Sequence, residues 1–106
     1  MGDWSNKIAG KGAERPVTEG SLIPCGYQQI TSLSSAAGLT VPQDARLAVI
    51  ICETQAVRWR DDGTNPTASV GMPLATGIQW TYPGDLSAIK FIEQSASAKL
   101  NVAYYK

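Results

Sequence analysis

From residue 45 onward, large apolar side chains recur at every second position. Val57 and Trp59 alternate with Arg58 and Arg60, and Ile78, Trp80 and Tyr82 with Gln79 and Thr81. Ile89 and Phe91 flank Lys90, and Leu100, Val102 and Tyr104 alternate with Lys99, Asn101 and Ala103. Period two is the strand period, with one face turned to a core and the other to water. Ala45 to Thr54 differs, because Leu47, Val49 and Ile51 share one face while Ala48, Ile50 and Cys52 share the other. Apolar groups on both faces predict a central strand covered on both sides. The core expected from these runs is Val49, Ile51, Val57, Trp59, Ile78, Trp80, Ile89, Phe91, Leu100 and Val102.

Turn chemistry separates the runs at Asp61-Asp62-Gly63, Asn65-Pro66, Gly71-Met72-Pro73, Pro83-Gly84-Asp85 and the polar stretch from Gln94 to Ser97. Upstream, Gly26 to Ile30 reads as a short strand. Thr31 to Pro42, rich in Ser, Ala and Gly, reads as a loop with one helical turn and with Leu33 and Leu39 as inward pegs. The sequence ends at Tyr104-Tyr105-Lys106, still within its last alternating run, so that strand is expected at the centre of a sheet. The predicted fold is therefore all-β: a single small antiparallel β-sandwich or jelly-roll-like barrel with an extended N-terminal arm. The arm is residues 1–20 and the β domain residues 21–106. Residues 1–20 show no strand or helix period, and carry only Trp4, Ile8 and Val17 as larger apolar groups. Such a segment gains too little from burial to offset its ordering entropy alone, so it is either a disordered tail or an arm that orders on a neighbour. A lone indole suits an anchor on a neighbouring subunit, so Trp4, Ile8 and Val17 are candidate partner-binding residues.

Size and charge narrow the function classes. The 106 residues fit one domain, with 9 basic and 9 acidic side chains and a formal net charge of zero. A neutral chain lacks the field that draws proteins to nucleic acid or to anionic membrane, so neither is an expected partner. Near-zero charge also lowers the barrier to self-association. No apolar run approaches the roughly 20 residues of a membrane span, and Met1-Gly2-Asp3-Trp4-Ser5 has no signal-peptide pattern. Cys25 and Cys52 are read as reduced thiols.

Catalytic chemistry finds little to work with. The sequence has no histidine, the commonest general base and metal ligand. Gly10-Lys11-Gly12 is too short for a phosphate loop, and no GxGxxG or GxSxG motif occurs. Asp61-Asp62-Gly63-Thr64-Asn65 is the densest oxygen cluster, but it lacks the alternating acidic spacing and closing Glu of a calcium loop. It reads as a turn in which Asp side chains bond local backbone and Gly takes positive φ. Arg58 and Arg60 fall on one face of a strand, either as a contact stripe for a partner or as a solvated face. A non-enzymatic protein without cofactor or metal is expected.

Three stretches carry a resemblance. These are Val57-Arg58-Trp59-Arg60-Asp61-Asp62-Gly63-Thr64-Asn65-Pro66-Thr67 with Gly71-Met72-Pro73-Leu74, then Gly84-Asp85-Leu86-Ser87-Ala88-Ile89-Lys90-Phe91-Ile92, and Ala98-Lys99-Leu100-Asn101-Val102-Ala103-Tyr104-Tyr105. Together they resemble small virion structural proteins of tailed bacteriophages, over roughly the C-terminal two thirds of the chain. The resemblance implies a compact β-sandwich attached to the capsid or neck, made in the host cytoplasm and carried in the virion. It implies capsid or neck proteins as partners, and a homo-oligomer, with a trimer favoured. A capsid cement or decoration protein is the leading expectation. A neck, collar or tail adaptor subunit, and a carbohydrate- or host-surface-binding module, are the alternatives.

Overall fold

The computed structural model describes residues 22–106. The predicted N-terminal arm therefore lies outside the described residues. Eight strands run through the described part: β1 (Pro24–Ile30), β2 (Ala37–Gly38), β3 (Leu47–Glu53), β4 (Val57–Arg60), β5 (Met72–Leu74), β6 (Trp80–Tyr82), β7 (Lys90–Glu93) and β8 (Lys99–Tyr105). They form two four-stranded antiparallel sheets, ordered β1-β8-β3-β6 and β2-β7-β4-β5. Four of the pairings join the first strand to the last, the second to the seventh, the third to the sixth and the fourth to the fifth. The predicted all-β class is what the chain adopts, and no helix occurs among the described residues.

β8 lies between β1 and β3, in the central place expected of it. Its inward residues Leu100, Val102 and Tyr104 stand opposite Cys52, Ile50 and Ala48 of β3. All six are essentially inaccessible to water. From the second sheet Val57, Leu74 and Phe91 meet them, and Leu33, Leu86, Ile89 and Ala98 close the core from the connections.

Three expectations are corrected here. β3 buries Ala48, Ile50 and Cys52, whereas Val49 and Ile51 are only half-buried on the outer face. The strand is central but is not fully covered on both sides. Both faces of β3 are apolar, so periodicity cannot choose between them. The register with β8 decides, placing Val49 opposite Ala103 and Ile51 opposite Asn101 on the wetter side. Ile78 is 54% exposed because it precedes β6, in the connection that crosses from one sheet to the other. The 31–42 segment has no helical turn; it contributes β2, which pairs with β7. Its peg Leu33 is fully buried, and Leu39 packs against the core.

The outer face of the first sheet carries a polar ladder across three strands. The Tyr27 hydroxyl donates to Asn101 Oδ1 at 2.6 Å, and Asn101 Nδ2 donates to Glu53 Oε1 at 3.0 Å. Gln29 Nε2 also donates to Asn101 Oδ1 at 3.0 Å. The turn into β4 is a tight three-residue loop, closed by Gln55 N–H to Glu53 C=O at 2.9 Å with Thr54 at φ 76°. That is the strained form of the γ-turn, on a β-branched residue.

Candidate functional site

The lateral edge where β5 and β6 lie is built differently from the core. Along β4, Val57 is sealed but Trp59, two residues on, reaches the mouth of the sandwich. Trp80 of the other sheet stacks on it, with ring centroids 4.7 Å apart and planes 24° from parallel. Tyr82 completes the aromatic group at 6.1 Å from Trp59 and 5.2 Å from Trp80. The sheets are thus joined here by stacked and tilted aromatic rings.

Tyr82 also fixes the loop after β4. Its hydroxyl donates to Asp61 Oδ2 at 2.6 Å. Burial and the neighbouring Asp61 carboxylate push the phenol up to about 12. Gly84 permits this position, since a Cβ there would come within 2.5 Å of the Tyr82 ring and hydroxyl. In the same loop Arg60 forks onto Asp62, Nε to Oδ1 at 3.1 Å and Nη2 to Oδ2 at 2.5 Å. The hydrogen bond from Arg60 holds the Asp62 carboxyl below its ordinary range. Asp62 Oδ1 also accepts the Thr64 N–H, and Gly63 sits at φ 88°, as a local turn requires. No group of three or more potential ligands that could hold a metal occurs among the described residues.

A second loop closes the mouth. Arg58 donates from Nε to the Ala68 carbonyl at 3.2 Å and from Nη1 to the Gly71 carbonyl at 2.8 Å. This holds residues 68–71 against β4 and brings Val70 and Met72 beside Trp59. The result is an open cleft of about 450 Å³ lined by Trp59, Arg60, Asp61, Asp62, Val70, Gly71 and Met72. Val70 and Met72 are exposed there.

The sequence-derived site residues fare unevenly. Trp4, Ile8 and Val17 lie outside the described residues. Arg58 and Arg60 are both half-buried and both engaged within their own chain. Only Arg60 borders the cleft. Val70 and Met72 were absent from the sequence expectation because Gly71 and Pro73 marked the stretch as a turn. The signal was nevertheless present, since Val70, Met72 and Leu74 alternate across those two residues, and a proline is tolerated in an edge strand such as β5.

A separate surface lies at the other edge of the first sheet. Among the described residues β1 has a partner on one side only, and Leu22, Ile23 and Tyr27 are exposed on or beside it. An edge strand turns alternate N–H and C=O groups away from its sheet, where another chain can pair with them. Cys25 and Cys52 are free thiols. Cys52 is buried, donates toward the Leu74 and Ala75 carbonyls, and is pushed up by desolvation, which makes it an inert core group. Comparison of the chain with protein-family models, with curated proteins and with solved structures finds no match.

Proposed function

We propose that this chain is a structural protein of a tailed-bacteriophage particle, of the capsid cement or decoration kind. The observation that carries the reading is the strand order. Pairing first with last and second with seventh, in two four-stranded sheets, favours a jelly-roll reading, an architecture that recurs in viral capsid and lectin domains. Fold alone does not fix function. The resemblance of residues 57–67, 71–74, 84–92 and 98–105 to virion structural proteins points the same way. So does β1, which follows the N-terminal segment in the chain and is an edge strand among the described residues.

In this reading the sandwich is the rigid body. Residues 1–20 dock on a neighbouring subunit with Trp4 as anchor, adding backbone hydrogen bonds at an edge such as β1. The homo-oligomer is a cyclic trimer, whose contacts join two different patches on successive copies. Quantitative composition of purified particles tests the reading. The expected result is a copy number that scales with the capsid shell; a value matching one neck ring would transfer the chain to the adaptor alternative. Deleting residues 2–18 should leave the β domain folded and sharply weaken attachment to particles. Undiminished attachment would remove the docking role of the arm, and absence of the protein from particles would remove the virion reading.

A further inference from the structure

We infer that the cleft at the mouth of the sandwich binds a neutral carbohydrate. Its lining is mainly apolar. Trp59, whose ring stacks on Trp80, lines the cleft together with Val70 and Met72. Such a surface accepts the C–H face of a sugar ring, which is apolar and too weakly hydrated to resist transfer from water.

The rim selects the chemistry. Asp61 is held by the Tyr82 hydroxyl through Oδ2, and its Oδ1 has no hydrogen-bond partner among the described residues. Arg60 uses two of its N–H donors on Asp62, and its others have no partner among the described residues. A carboxylate only accepts and a guanidinium only donates, so a ligand touching both must do both. A hydroxyl carries one donor and two acceptor lone pairs, and vicinal hydroxyls offer the alternation this rim needs. A cation would approach Asp61 but meet the Arg60 charge. An anion would approach Arg60 but meet two carboxylates. Both charged classes are therefore disfavoured, whereas a neutral polyhydroxylated ring satisfies each group in turn.

The cleft is also pre-formed from three directions. Tyr82 fixes Asp61, Asp62 orients Arg60, and Arg58 holds the 68–71 loop through two backbone carbonyls. Groups held in this way lose little further freedom on binding. The site stands on this geometry and not on attachment to a particle.

The test uses the full chain without particles. The protein is applied to an array of neutral oligosaccharides of hexoses and N-acetylhexosamines, and the best binder is titrated by tryptophan fluorescence. Saturable quenching is expected. Asp61→Asn keeps an acceptor for Tyr82 but removes the charged acceptor at the rim, and should weaken binding about tenfold, or 1.4 kcal/mol. Met72→Ala, at an exposed side chain, should weaken it by a smaller factor with an unchanged melting temperature. Absence of any bound glycan, equal affinity in both variants, or displacement of the glycan by tetramethylammonium chloride would each overturn the assignment.

Discussion

The two halves of this sandwich solve the same packing problem with different materials. Around β3 and β8 the core consists of Ala48, Ile50, Cys52, Leu100, Val102 and Tyr104, sealed by the opposite sheet and by loop residues such as Leu33. At the mouth, β4, β5 and β6 are short, and the gap is filled by the Trp59, Trp80 and Tyr82 rings and closed by loop hydrogen bonds. The first half is dry and makes stability. The second is half-open, with charged groups held at its rim, and makes a surface. Burial and recognition compete for the same apolar side chains, and the fold divides them between its two ends.

Substitution at Phe91 gives the strongest contrast. Its ring is fully buried between the sheets, and Phe91→Ala should cost about 3–5 kcal/mol of unfolding free energy by urea denaturation. Met72→Ala at the mouth, where the side chain is exposed, should stay within about 0.5 kcal/mol. Equal losses at the two positions would erase the distinction between the halves.

Alkaline pH affects both ends through one tyrosine each. Tyr82 at the mouth and Tyr104 in the closed half are each pushed up to about 12, chiefly by burial. An unfolded tyrosine ionises near 10, so the raised folded values stabilise the protein fully below pH 10. That contribution is lost as pH rises from about 10 through 12, because the unfolded state releases its protons first. The urea midpoint should fall across this window. Tyr104→Phe and Tyr82→Phe should each make the fall shallower, and a slope unchanged in both would show that neither phenol is held neutral.

The smallest effect is expected where the chain passes from the closed half to the mouth. Thr54 holds φ 76° in the turn between β3 and β4, a conformation that a β-branched residue adopts only under strain. Thr54→Gly should raise stability by about 1 kcal/mol, the relief of that strain exceeding the entropy cost of glycine. A lower melting temperature would mean that the turn depends on the threonine side chain.

Much of this architecture is legible along the chain, and the unread parts have definite causes. β8 was readable because each inward residue is apolar and each neighbour is polar or small, so period two assigns its buried face. β1 and the turn at Asp62-Gly63 were readable for similar local reasons. β3 was legible as a strand but not as a face, since Ile50 and Ile51 are equally apolar. Ile78 continued the alternation of Trp80 and Tyr82, yet it falls outside their strand. β2 is two residues long and has no local signal, existing only because β7 is there to pair with it.

The candidate site divides in the same way. Residue types alone placed Asp61 and Asp62 in a turn without a calcium pattern and Arg60 on the strand before it, since turn hydrogen bonds are made within a few residues. Only the tertiary structure set Trp59 against Trp80, 21 positions away in the chain, and Tyr82 against Asp61. It also brought Val70 and Met72 to the same opening. Alternation fixes which side of a strand is apolar, because that depends on backbone geometry within one segment. Which apolar residues remain uncovered depends on where the opposing sheet ends, and that is settled when the two sheets pack.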